Sequence, residues 1–471
     1  MSNGLKRELG LFSATALVVA NMVGTGIFTT SGFIMAELGD PRALILCWIC
    51  GGLFSLCGAL CYGELGARFP RAGGEYVFLK ECLGRPVGFL SGWISLIVGF
   101  SAPIAAASMA FATYFFQTFA IPSGNEGFVF SMSGIPLVTL SPLTLTAIGV
   151  IVLFSLIHYH SLHVGSRVQN GLTLFKIILV VVFIGAGLFM GNGSADHFAV
   201  TATTAWSSEK FAVALIFVSF AYSGWNAAAY LGDEIVDPQK NIPISLFAGT
   251  VIVMILYVLL NVVYLYALSP EAMQGIMEIG AKSAKSLFGR GISRLFSGAV
   301  ALGLLSVLSA MILTGPRIYY AMSRDRLFFQ IFGRLDANRN TPAKSIFLQA
   351  AIAIMMVVSA SFDSLLLYIG LTLSLFAMLA VIGLMRVRRQ SPLSGGSYRT
   401  FGYPFTPLLF ILGNLWIIFF SIKSRPITAL FSLGTIGLGI AAYLYFTCRY
   451  HPEDESAVVG GTANTESQPL L

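Results

Sequence analysis

Charge is scarce in this chain. Only 10% of its 471 residues are Asp, Glu, Lys or Arg, against 56% hydrophobic residues, and the mean hydropathy is +0.81. No water-soluble domain has that balance, so the chain reads as one polytopic membrane domain. Histidine is rarer still, and His158, His160 and His163 fall close together. Their spacing does not share one helix face, which favours an interfacial reading over a metal site. Of six cysteines, Cys47, Cys50, Cys57 and Cys61 sit in one apolar segment as small fillers, with Cys82 and Cys448 elsewhere. None falls in an outer loop, so no disulfide-linked partner subunit is expected. A cleavable leader is not expected either, because the first apolar segment after Lys6-Arg7 lacks an Ala-x-Ala-type site. The polar residues are isolated. They supply neither the acid–base pair, nucleophile or cofactor site of an enzyme nor the continuous polar stripe of a channel. The net charge of +7 is attributed to loops facing anionic lipid rather than to nucleic-acid binding.

Windows of about 20 apolar residues give twelve spans. They cover 11–36, 42–66, 84–118, 142–160, 167–191, 210–232, 242–268, 291–321, 344–360, 363–385, 404–422 and 428–447. With both termini in the cytoplasm, most of the 28 Lys and Arg fall in inner loops, as the positive-inside rule requires. The segment from Lys282 to Arg294 runs against that rule, in an outer loop long enough for its own short helix. After the last span, residues 448–471 have no apolar periodicity and read as a disordered cytoplasmic tail that ends in a dileucine-like pattern.

Two spans contain interruptions. Val23-Gly24-Thr25-Gly26-Ile27-Phe28 breaks the first and Phe220-Ala221-Tyr222-Ser223-Gly224-Trp225-Asn226 breaks the sixth. Singly, such glycines read as close-packing positions. Together, five spans apart, they match an inverted-repeat transporter with helices 1 and 6 unwound at mid-membrane. Broken helix ends expose N–H groups on one side and C=O groups on the other. A zwitterion suits both. The carboxylate of an α-amino acid would meet N–H groups around Gly24, Thr25 and Gly26, and its ammonium the carbonyls near Met22, Val23, Phe220, Ala221 and Ser223. No acidic residue lies within either break, and none offers itself to a cationic side chain.

Five motifs then carry a resemblance. They are Gly24-Thr25-Gly26-Ile27-Phe28; Tyr62-Gly63-Glu64-Leu65 with Phe69-Pro70-Arg71-Ala72-Gly73-Gly74-Glu75-Tyr76; Arg167-Val168-Gln169-Asn170 with Lys176; Phe220 to Asn226; and Ser323-Arg324-Asp325-Arg326-Leu327-Phe328. In that order the chain resembles the amino acid–polyamine–organocation (APC) superfamily over residues 8–447, closest to the L-type amino acid transporters and their bacterial homologues. The resemblance implies an all-α fold of twelve transmembrane helices in a 5+5 inverted repeat (LeuT-like). Residues 1–10 form the N-terminus, 11–191 and 210–385 the two repeats, and 404–447 the last two spans. It implies a sodium-independent secondary transporter of neutral L-amino acids, an exchanger or H⁺-coupled carrier working by alternating access, and the brief loops with no outer cysteine point to a bacterial inner membrane. The alternatives are a non-transporting sensor on the same fold and a carrier of cationic amino acids or polyamines.

Lys176, inside the fifth span, is costly there unless paired, although a lysine that snorkels to the inner interface avoids the cost. By resemblance its ammonium reaches the unwound part of span one, where sodium-coupled relatives hold a sodium ion. Two roles stay open: a fixed charge organising an exchanger or uniporter, and a protonatable group coupling uptake to H⁺. The resemblance also makes Phe220 the gate above the substrate. Asn226 holds the unwound turn or the substrate, and the small Ser223, Ala227 and Ala228 leave side-chain size permissive. Glu64 and Arg68, four apart, form a helix-surface pair, and Asp233-Glu234 an ion pair with an inner arginine.

Overall fold

The computed structural model describes residues 7, 9–71, 73–121, 128–132, 135–160, 162–199, 207–336, 341–391 and 398–449. Fifteen helices of more than one turn follow in order: α1 (Leu11–Met22), α2 (Thr25–Leu38), α3 (Pro41–Arg68), α4 (Glu75–Leu83), α5 (Arg85–Phe119), α6 (Pro142–His160), α7 (Leu162–Met190), α8 (Ser208–Ala221), α9 (Pro238–Ala267), α10 (Ile279–Phe288), α11 (Arg290–Arg324), α12 (Ala343–Ser359), α13 (Phe362–Gln390), α14 (Phe405–Ser424) and α15 (Pro426–Arg449). Local chemistry sets their ends. Gly39, at φ +65°, stops α2, then Asp40 accepts the Arg42 N–H at 2.7 Å and Pro41 opens α3.

Among the described residues nine helices are long and apolar enough to cross a membrane, and ten spans result when α1 and α2, bent by 41°, count as one. Two of the twelve expected spans, 210–232 and 344–360, fall on the shorter α8 and α12, of 14 and 17 residues, which are too short to count among them. Span six therefore differs from its expected extent. After Ala221 the chain leaves the α-helix, turns, and resumes only as one 3₁₀ turn at Ala227–Tyr230. Gly224, at φ +96°, and the extended Leu9–Ile235 bridge account for that irregular path. The fold is also not purely helical. Phe128–Met132 (β1) and Ile135–Leu140 (β2) form an antiparallel hairpin between α5 and α6. The short helix expected near Lys282 is α10. Residue 448, expected to begin the tail, is still in α15, while 450–471 lie outside the described residues.

The core lies where α9 packs along α3 and α1, α11 along α5, and α2 against α8. Outside it, α14 and α15 turn Leu412, Phe419, Leu430 and Phe431 outward, a lipid-facing surface in a membrane protein. Both described chain ends reach one face. Leu9 bridges Ile235 beside the Arg317–Glu234 pair, and Phe446 packs on Phe328 and Phe329 beyond α11.

Candidate functional site

The first break is a defined interruption. The last bond of α1 runs from the Val23 N–H to the Val19 carbonyl, Gly24 is extended at φ −132° and ψ −151°, and α2 begins at Thr25. Two glycines bring it against the second break. A Cβ on Gly26 would stand 2.3 Å from Ala221 Cα, and one on Gly224 would stand 2.9 Å from the Asn21 carbonyl oxygen. One hydroxyl then ties them together. Tyr257 of α9 donates to the Met22 carbonyl at 2.5 Å and lies 3.1 Å from that of Ala221, with its ring packed on Trp48 and Tyr222.

Lys176 is 1% exposed, and its ammonium donates to the Ala20 carbonyl at 2.9 Å. That carbonyl is next in the series after Val19. The break leaves it without its usual i+4 partner, and the positive charge meets the negative end of α1.

Below the breaks lies a cavity of about 780 Å³. It runs from Ala20, Phe220, Ser223 and Asn226 to the exposed Phe12 and to Arg317, on the face that carries the chain ends. The opposite side is shut. Tyr114 donates to the Phe28 carbonyl at 2.7 Å, Gly275 N–H to that of Gly32, and Phe33 stacks on Phe217.

The residues expected to hold a ligand therefore divide. Phe220, Ser223 and Asn226 line the cavity. Met22, Val23, Gly24, Thr25, Gly26, Ile27 and Ala221 are buried behind its wall, because Val307 of α11 covers Gly24 and Ala221 covers Gly26. The carbonyls of Met22 and Ala221 already face the Tyr257 hydroxyl, although each keeps a second lone pair. Phe220 is 5% exposed and sits in the wall.

One acidic group departs from the sequence reading. Glu75, at the start of α4, lines the cavity, and its Oε1 accepts from the Tyr62 hydroxyl at 2.7 Å and the Asn226 amide at 3.1 Å. Burial pushes its carboxyl up to about 7 despite those two donors. The Gly73-Gly74 turn folds it back under span six, a route visible only once α4 is placed. Tyr257 was equally silent in the sequence, as one of 17 tyrosines.

The other polar expectations resolve individually. His158 is fully buried rather than interfacial, with its Nε2 2.9 Å from the Ser309 hydroxyl, while the side chain of His163 lies outside the described residues, as do those of Arg167 to Asn170. Arg317 pairs with Glu234 at 3.9 Å. Glu64 does meet Arg68, at 3.2 Å, but in the interior. Among the described residues no group of three His, Cys, Asp or Glu could hold a metal.

Comparison with known proteins shows what the sequence is similar to. The family model described as amino acid permease matches residues 9–440. The serine/threonine exchanger SteT of Bacillus subtilis is 30% identical over 93% of this chain and 96% of its own. The human large neutral amino acids transporter small subunit 2 is 27% identical, covering 93% of this chain and 80% of its own. The mouse b(0,+)-type amino acid transporter 1 is 27% identical over 90% and 84%.

Proposed function

The chain belongs to the amino acid permease family of the APC superfamily, near its L-type members, and from that premise we propose that it exchanges neutral L-amino acids by sodium-independent alternating access. It is an amino acid transporter in the membrane, not an enzyme. The observation that carries the proposal is the contact of two helix breaks, Gly26 on Ala221, at the head of a cavity leading to one face. The zwitterionic backbone of the substrate takes the N–H groups at Gly24, Thr25 and Gly26 and the carbonyls at Met22, Val23, Phe220, Ala221 and Ser223. Seating it asks α11 to draw Val307 off Gly24, so on this reading, with the termini in the cytoplasm, the arrangement is a cytoplasm-open state with the first break covered.

Lys176 supports sodium independence, because its ammonium occupies the carbonyl at the broken end of α1. Small residues at Ser223 and Ala227, with Glu75 already engaged by Tyr62 and Asn226, support neutral side chains of varied size. Twelve spans in a 5+5 inverted repeat, with both termini cytoplasmic in a bacterial inner membrane, complete the reading. The human relative is named a small subunit, but here the one exposed described thiol, Cys448, lies on the face of the termini. This supports a carrier without a disulfide-linked partner.

Proteoliposomes test the proposal. Labelled serine, threonine or leucine should enter vesicles preloaded with unlabelled amino acid, equally in sodium and potassium buffers, and stay at background in empty vesicles. The Lys176→Ala protein should lose at least about tenfold in rate, the equivalent of one charge-assisted hydrogen bond. Uptake into empty vesicles driven by a pH gradient replaces exchange with H⁺ symport. Binding without uptake makes the protein a sensor, and preference for lysine makes it a cationic carrier.

A further inference from the structure

Among the described residues the carboxyl of Glu75 has no countercharge, although it lies at the bottom of the second break. Its Oε1 takes both donors, from Tyr62 and Asn226, and Oε2 takes neither. Among the described residues the surrounding cations act elsewhere, and the field of Arg85 of α5 falls on Tyr76. Lys80 of α4 pairs with Asp325 at 2.8 Å, Arg71 with Glu81 at 3.7 Å, and Arg317 of α11 with Glu234. Arg68 of α3 and Arg388 of α13 pair with Glu64, and the field of Arg386 reaches Cys82 rather than Glu75. The remaining titratable neighbours are the phenols of Tyr62 and Tyr230, which bring no positive charge. A buried carboxylate with two neutral donors and no cation is costly, and the small cation that fits beside it is a proton.

We propose that Glu75 is a proton-binding site: the carboxyl holds a proton while Tyr62 and Asn226 enclose it, and releases it when water from the cavity reaches it and the second break moves away. This rests on the reading of the cavity as the translocation route, and it names the ion that controls its opening. Neutral Glu75 stays in place without burying a charge. Ionised Glu75 gains from hydration and draws the enclosure open. The direction follows from linkage. The enclosed carboxyl titrates at about 7, above the ordinary glutamate value, so the closed arrangement is favoured in acid and loses that advantage as the pH rises through 7. Between pH 6 and pH 8 the opening equilibrium should change about tenfold.

Two readouts test this independently of each other. Trp225 packs edge-on against Tyr62 with ring centroids 4.7 Å apart, so tryptophan fluorescence of the protein in lipid nanodiscs reports the enclosure without any transport. It should show a transition near neutral pH that disappears in Glu75→Gln, whose amide mimics the protonated acid, and moves to higher pH in Tyr62→Phe, which removes a donor to the carboxylate. In proteoliposomes, wild-type exchange should rise about tenfold from pH 6 to pH 8 on the cavity side, with Glu75→Gln flat at the slow rate. A transition or pH profile that survives Glu75→Gln overturns the proposal. Should that variant not fold, an unmoved midpoint in Tyr62→Phe overturns it instead. Absence of exchange with the fluorescence transition intact counts against the transport reading and for the proton site.

Discussion

Two glycines two residues apart in the first break have different duties. Gly24 is extended, and a Cβ there would meet Val307 at 3.5 Å, an ordinary contact. Gly26 faces the backbone of the second break, where a Cβ would lie 2.3 Å from Ala221 Cα and 2.6 Å from its Cβ. Backbone cannot yield as a flexible side chain does. Gly26→Ala should therefore separate the breaks, cost about 1–3 kcal/mol, and abolish the thermal shift that substrate gives the purified protein, while Gly24→Ala keeps it. Equal loss in both, or in neither, removes the distinction. The Gly-x-Gly motif was legible in the sequence because an apolar segment seldom interrupts itself, but which glycine bears the contact depends on a residue 195 positions away, Ala221. Tyr257 and Glu75 were illegible for the same reason. Neither lies in a break, and each gains its role only when α9 and α4 dock against Met22, Ala221 and Asn226.

Elements pack in a regular order when counted by the expected spans. Span one packs on span six through α2 and α8, span two on seven through α3 and α9, span three on eight through α5 and α11, and span four on nine through α6 and α12. Each partner comes five spans later. The two inter-span helices obey the same count, with α4 after span two and α10 after span seven. Apolar windows found the long helices because bilayer thickness fixes their length. They could not find the β1–β2 hairpin, which lies between spans, or the early end of α8, which depends on Gly224. A second element-level feature is a buried knot. Glu64 is fully buried and accepts from Arg68 at 3.2 Å, from Arg388 at 3.1 Å, and from the Thr400 N–H and hydroxyl at 2.8 Å each. Its i,i+4 spacing suggested a surface pair, whereas the acid joins α3, α13 and the segment before α14. Removing it leaves Arg68, itself 6% exposed, without its carboxylate. Glu64→Ala should cost about 3–5 kcal/mol, read as a lower midpoint of thermal unfolding in detergent, and Glu64→Gln less. A change within about 0.5 kcal/mol would place this acid among ordinary surface pairs.

The whole molecule is asymmetric across the membrane. Its cavity reaches exposed Phe12 and Arg317 on the face of the chain ends, while hydrogen bonds from Tyr114 and Gly275 and the Phe33–Phe217 stack close the other. Alternating access requires the reverse state, reached by moving the breaks against the surrounding helices. Thr314 of α11 lines the cavity and is separate from the breaks. With the exposed Cys448 replaced, Thr314→Cys should react with a charged, membrane-impermeant thiol reagent supplied from the face of the termini. The reagent should fail from the opposite face in the absence of substrate. Amino acid that binds and drives the cycle should change the termini-side rate, since a ligand shifts a two-state equilibrium only by its preference for one state. Equal labelling from both faces would mean a continuous pore, and a labelling rate indifferent to every amino acid would mean that the cavity is not on the transport path.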